Sequence, residues 1–293
     1  MLEGKIIIVA GGTGGIGMET CRLLAYHGAS LVIAAKKSSD LEKLLNEIKV
    51  LSPESISYEG DLSLLSNWER LVENTVRKFR HVDSLINCVG VLIPAPFDRL
   101  KESEIQSIVG ANFLSAVFGI KTVLPVMKQQ KEGHIIQVGS LGGIVPMPFQ
   151  ALYSATKFAV RGFSLSLNEE FKGTGVHLSL IEPGAVRTKM LDVETIYDRT
   201  TITFVNPPFE AFEVSRAILS ILKSPRREVI LPRALGKLVA GLGFFPNLFA
   251  VIYPLINLLG SRGLKNYKKK FLLRHNLQKN GSFNRVNFNR RKQ

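Results

Sequence analysis

Short runs of consecutive apolar residues alternate along the chain with stretches in which apolar positions recur every third or fourth residue. Ile6 to Ala10, Leu31 to Ala35, Ile56 to Tyr58, Ser84 to Asn87, Ile135 to Val138, His177 to Ile181 and Glu228 to Leu231 read as strands. Between them, Gly15 to His27, Asp40 to Leu51, Ser66 to Phe79, Glu102 to Lys128, Ala151 to Lys172 and Pro208 to Lys223 carry helical patterns. Gly28 stops the first of these helices and Asp40 caps the second. The strands are apolar almost throughout rather than at alternate positions. That is the habit of strands buried on both faces, in a parallel sheet covered by helices.

Seven such alternations predict a Rossmann-like, doubly wound parallel seven-stranded sheet with helices on both faces, in which ligands sit at the carboxyl ends of the strands. A length of 293 residues, 45% hydrophobic and 21% charged, suits one large α/β domain with an appendage and excludes disordered and disulfide-scaffold classes. Cys21 and Cys88 are expected as reduced thiols of a cytoplasmic protein. The five histidines lack metal-ligand spacing, so no metal site is expected. Met1 to Lys5 lead straight into the first strand, whose apolar run is too short for a secretory signal, so the body is expected in the cytoplasm.

Charge separates the chain into body and tail. Of 38 Lys and Arg, thirteen lie beyond Leu231, where there is no Asp or Glu; the remaining 25 nearly balance the 24 acids of the body, so +13 of the net charge of +14 sits in the tail. The expected division is residues 1–231 as the dinucleotide-binding and catalytic domain, 232–279 as an apolar and basic helical extension, and 280–293 as a disordered basic end. From Leu238 to Gly260 no residue is charged. The length permits a membrane span. Pro246, Pro254 and Asn257 oppose a straight one, and a single span would put the basic end on the wrong side. Two short interfacial helices, broken near Pro246 and Pro254, are expected on an anionic membrane surface, with Lys265, Lys268, Lys269, Lys270 and Arg274 facing the headgroups. Packing of the same helices on the body or a second subunit is the alternative. Nucleic acid is not an expected partner, because no aromatic platform accompanies the charge.

The first strand runs into Gly11-Gly12-Thr13-Gly14-Gly15-Ile16-Gly17 and then directly into a helix. Glycines permit a tight turn and close approach to a pyrophosphate, and the helix N-terminus presents free N–H groups to it. This loop resembles the T-G-x-x-x-G-I-G loop of the short-chain dehydrogenase/reductase family. The resemblance continues in order through Asp61-Leu62, Asn87-Cys88-Val89-Gly90, Asn112, Ser140, the Y-x-x-x-K of Tyr153 and Lys157, and Pro183-Gly184 with Val186 and Thr188 beyond. It covers about residues 4 to 231. Ala10 replaces the usual Thr before the first glycine, and Cys88 and Val89 replace Asn and Ala.

The resemblance implies a cofactor held by Gly11, Thr13, Gly14, Gly15, Ile16 and Gly17, by Asp61 and Leu62 at the adenine, by Asn87 and Gly90, and by Pro183, Gly184, Val186 and Thr188 near the carboxamide. It implies Tyr153 as general acid/base and Lys157 as its helper and as holder of the nicotinamide ribose. Ser140 then binds the reacting oxygen, and Asn112 holds a proton-relay water. A homodimer through the long helices is implied as well. An ammonium one helical turn from the phenol is expected to lower the Tyr153 pKa. The second strand ends in Lys36, Lys37 and Ser38 with no carboxylate, which selects NADP(H) over NAD(H), since lysine attracts a 2′-phosphate. Apolar loops at 91–97 and 144–149, and the segment 190–212, predict a lipophilic ketone, aldehyde or secondary alcohol as substrate. A non-catalytic, NADP-binding scaffold localised by its tail is the competing function.

Overall fold

The computed structural model describes residues 2–36, 39–197, 199–232, 241 and 246–279, the last ten by backbone alone. Seven parallel strands form one sheet in the order β3-β2-β1-β4-β5-β6-β7. They are β1 Ile6–Ala10, β2 Ser30–Ala35, β3 Ile56–Glu59, β4 Ser84–Asn87, β5 Gly133–Val138, β6 Val176–Pro183 and β7 Glu228–Leu231. The order reverses between β1 and β4, so the crevice opens where the glycine loop leaves β1. The predicted fold class holds.

The uniform apolarity of the strands has a direct structural cause. Ile7 and Val9 of β1, with Leu31, Ile33 and Ala35 of β2, face one helical layer made by α1 Gly15–Tyr26, α2 Ser39–Lys49 and α8 Ala211–Lys223. Ile8 and Ala10, with Val32 and Ala34, face the other, where α3 Leu65–Phe79 and α5 Ser115–Gln130 pack. Both sets are buried, so β1 and β2 are apolar at these positions on both faces. Trp68 of α3 is fully buried, its indole N–H donating to the Leu62 carbonyl oxygen at 2.9 Å. Gly119 of α5 lies under this ring; a Cβ there would come within 2.8 Å of it.

The long helical region predicted over Glu102 to Lys128 is α4 Glu102–Val109 and α5, joined by a wider π turn at Gly110–Leu114 that contains Asn112. Helix α6, Ala151–Glu170, crosses the same side, and a short helix α7, Lys189–Thr195, follows β6.

The extension differs from expectation. It does not break at Pro254: Pro246–Lys279 form one helix, α9, running through that proline, while the expected break near Pro246 borders residues 242–245, which lie outside the described residues. An interior proline loses one backbone hydrogen bond and crowds the preceding turn, at a cost of about 3 kcal/mol. Tertiary seating offsets it. Phe249 and Leu264 are buried, and the Thr201 hydroxyl donates to Asn257 Oδ1 at 2.5 Å. Gly260 and Gly263 lie directly on the Thr201 and Phe204 carbonyls, where a Cβ would stand 2.1 and 1.9 Å from oxygen. Residues 280–293, expected to be disordered, lie outside the described residues.

Candidate active site

The glycine loop is built as a cradle. Gly11 has φ 74°, in the left-handed region that glycine occupies without strain, and its Cα faces the Cys88–Val89 peptide. A Cβ on Gly17 would lie 2.2 Å from the Gly11 carbonyl oxygen, so the first turn of α1 rests on the loop backbone. Gly14 caps α1 with no side chain folded over the helix end, and the first turn holds no acid. Gly14 and Gly15 are exposed and Thr13 is half-buried. This cradle fits the pyrophosphate of a dinucleotide.

At the ends of β2 and β3, the exposed Lys36 pairs with Asp61 at 2.9 Å. Burial opposes the Asp61 charge, but hydrogen bonds from the Ser63 N–H and hydroxyl, together with Lys36, outweigh it and hold the carboxyl below its ordinary range. The site thus offers both an acceptor and a cation to an adenosine ribose. Leu62 turns its side chain into the core. Lys37 and Ser38 lie outside the described residues.

The loop after β4 is braced differently from the family pattern. The buried Asn87 side chain accepts from the Val89 N–H at 3.0 Å, and the Cys88 N–H donates to the Ala10 carbonyl at 2.9 Å. Cys21 is buried, whereas Cys88 is half-buried beside the cavity. Asn112 clamps the next residue: its Oδ1 accepts from the Val91 N–H at 2.7 Å, while its Nδ2 donates to the Val91 carbonyl at 3.0 Å and to Thr156 Oγ1 at 3.1 Å. The π turn rotates this amide toward Gly90, above which Lys157 Nζ also lies.

Ser140, Tyr153 and Lys157 converge with Ile16, Gly90, Pro183, Gly184, Val186 and Thr188 on one cavity of about 340 Å³. Ser140 accepts from the Gly142 N–H at 3.1 Å, and its own N–H donates to Glu182, the carboxyl at the end of β6. Thr188 caps α7 and closes over Gly15, whose added Cβ would meet its methyl at 2.4 Å. Val186 bridges to Phe209. Helix α9 supplies part of the wall through Phe249, Ile252 and Ile256.

The expected acidification of Tyr153 is not what the geometry produces. Burial raises the phenol well above its ordinary value, the Ser140 hydrogen bond pulls it partly back, and the charges of Glu194 and Glu182 push it up again. Lys157 Nζ lies 5.8 Å from the tyrosine ring centroid and donates to the Val138 carbonyl at 3.0 Å. Burial lowers the Lys157 pKa against the pull of Glu182, and burial likewise raises Glu182 against its bond from Ser140 and the nearby Lys157 ammonium. Glu182 is fully buried, with Oε1 lacking a hydrogen-bond partner. An acid inside the apolar β6 run is a signal readable from sequence; its contact with Ser140 is not.

Two further polar residues escaped the sequence reading. Gln150, which precedes α6, and Glu194 of α7 are both buried in the cavity wall and joined at 2.8 Å. Phe149 adopts φ 64°, an uncommon conformation for a bulky residue, immediately before Gln150. Among the described residues there is no cluster suited to a metal ion.

Comparison with known proteins follows the same residues. The short chain dehydrogenase family profile matches residues 5–196. An uncharacterized oxidoreductase of Listeria innocua is 36% identical over 202 residues, covering 68% of this chain and 81% of that protein. Dehydrogenase/reductase SDR family member 7B of Danio rerio is 25% identical over 290 residues, covering 92% and 89%. A metagenomic short-chain oxidoreductase solved in complex with NADP superposes with a TM-score of 0.67 at 25% identity, over 78% of this chain and 96% of that one.

Proposed function

The chain belongs to the short-chain dehydrogenase/reductase family, and on that premise we propose an NADP(H)-dependent oxidoreductase that acts on a lipophilic ketone or aldehyde, or on the matching secondary alcohol. The observation that carries this reading is the meeting of Ser140, Tyr153 and Lys157 in an apolar cavity at the mouth of the glycine loop. The NADP-bound relative supports the cofactor, as does Lys36 at the end of β2.

When bound, the nicotinamide supplies or accepts the hydride. The protein's part is to hold the substrate oxygen between Ser140 and Tyr153 and to move one proton. A phenol whose pKa is raised by burial keeps that proton at neutral pH, so Tyr153 serves best as the acid that protonates a carbonyl oxygen. Ser140 donates to the same oxygen as negative charge develops on it. Lys157 returns a proton toward Tyr153, and Asn112 positions the Val91 backbone and the relay beside it. Cofactor contacts fall to Gly11, Thr13, Gly14, Gly15, Ile16, Gly17, Lys36, Asp61 and Thr188.

Helix α9 turns Phe249 inward and leaves Leu248, Val251, Leu255, Leu258 and Leu259 exposed, with Lys265 and Lys269 further along. An apolar face followed by cations suits the cytoplasmic surface of an anionic membrane, at which a lipophilic substrate is concentrated. A homodimer through α4, α5 and α6 completes the reading.

The test is oxidation of NADPH in the presence of a panel of apolar ketones and aldehydes, repeated with NADH. Turnover with NADPH at a higher kcat/KM than with NADH is expected. Binding of NADPH without turnover of any carbonyl compound would favour the scaffold reading instead.

A further inference from the structure

We infer that Gln150 and Glu194 form a polar recognition site for a hydroxyl group carried by the substrate away from its reacting carbonyl. This rests on the proposed function and narrows its substrate class. Val145, Met147, Leu191 and Ile252 are among the apolar groups that line the cavity beside these two residues, with Thr203 the nearest other polar one. Into the cavity project a carboxyl whose residue is 7% exposed and an amide whose residue is 3% exposed. The amide Nε2 donates to Glu194 Oε2 at 2.8 Å. Thr203 stands near the same carboxyl without closing a well-formed hydrogen bond, and its buried Oγ1 has no partner. The Thr200 hydroxyl, at 2.9 Å, holds the Glu194 backbone carbonyl and fixes where α7 presents the side chain.

A core brace would require none of this to border a cavity. An apolar ligand filling the space would leave the carboxyl desolvated and short of hydrogen bonds, a costly arrangement. The chemistry of a fitting ligand group follows from the pair itself: the Glu194 carboxyl accepts and the Gln150 amide both accepts and donates, which a hydroxyl can match. Burial raises the Glu194 pKa to about 7, opposed by hydrogen bonds from Thr203 and Gln150. A hydroxyl donates to the carboxylate and accepts from the carboxylic acid, so it suits either form. An ammonium suits only the charged form, and a carboxylate only the protonated one. The negative charge also turns away acids and phosphates from this end of the cavity.

The experiment uses the full chain with NADPH and methyl ketones of equal chain length ending in methyl, hydroxyl or carboxylate, across several lengths. At the length that reaches Glu194, the hydroxyl-ended ketone is expected to exceed the methyl-ended one in kcat/KM by about tenfold or more, with the carboxylate-ended one poorest. Glu194→Leu should bring the hydroxyl-to-methyl ratio to about one. Glu194→Met, whose unbranched chain keeps the volume, decides the point if the leucine variant fails to fold. Turnover of all three ketones without a hydroxyl preference, or an unchanged ratio in the folded variant, overturns the inference and leaves the oxidoreductase reading intact. Failure of every ketone to turn over while NADPH still binds overturns both.

Discussion

Burial raises the Tyr153 pKa, and the proposed chemistry rests on the oxygen of this one side chain. Replacing it with phenylalanine keeps the ring and its packing and removes the hydroxyl, and with it the proton and the Ser140 hydrogen bond. Tyr153→Phe is therefore expected to bind NADPH within a few-fold of the original while kcat falls by about a hundredfold or more. Fluorescence titration and steady-state turnover together check this. Glu182 acts one layer deeper: it accepts from the Ser140 N–H and faces Lys157 and Arg161 of α6 and Glu228 of β7. When ionised, Glu182 favours the Lys157 ammonium. Glu182→Gln keeps an acceptor for Ser140 but removes that charge, so Lys157 should lose its proton more readily and the alkaline limb of the kcat profile should move to lower pH by about one unit. An unmoved limb would mean that Glu182 only braces the loop. The motif residues were legible in the sequence because each belongs to a local pattern with fixed spacing. Glu182, Gln150 and Glu194 were not, because their roles depend on partners more than forty positions away.

Elements show the same division. The strands were readable because those covered on both faces, β1 and β2 above all, are apolar at nearly every position, and sequence displays that directly. The π turn at Asn112 was not, because one extra residue in a helical turn leaves the apolar period nearly unchanged. Helix α9 was misjudged at Pro254 because local propensity opposes a helix there and the contacts that override it come from the 201–204 segment. Strand β5 carries a pH-sensitive group of its own. His134 is buried, with Nε2 2.8 Å from Ser179 Oγ, and burial, with the neighbouring His177, lowers its pKa to about 4. The unfolded chain protonates near 6.5, so its contribution is fully present above that pH and is lost as pH falls toward 4, by about 3 kcal/mol in all. Glu194, with its raised pKa, acts in the opposite sense over part of this range. The quantity to measure is therefore the difference between wild type and His134→Gln in urea unfolding at pH 7, 5.5 and 4. That difference should shift in favour of the variant as the pH drops; a constant difference would show that His134 titrates normally.

The whole molecule joins a nearly neutral catalytic body to a cationic extension, and α9 belongs to both. Truncation after Pro232 removes Phe249, Ile252 and Ile256 from the cavity wall along with the basic end. Full-length protein is expected to float with vesicles containing phosphatidylserine at low salt and to be released as ionic strength rises. The truncated form should remain in the soluble fraction and show a KM for long-chain ketones raised by about tenfold. Equal flotation of the two forms would remove the extension from membrane binding. The seating of α9 has a consequence for descent. Ser140, Tyr153 and Lys157, the groups of the proposed chemistry, line one side of the cavity, whereas much of its ceiling comes from a terminal segment held down by two glycines, an asparagine and a few large side chains. Mutations can remodel that ceiling without disturbing those groups, so lineages sharing one chemistry are free to drift apart in diet.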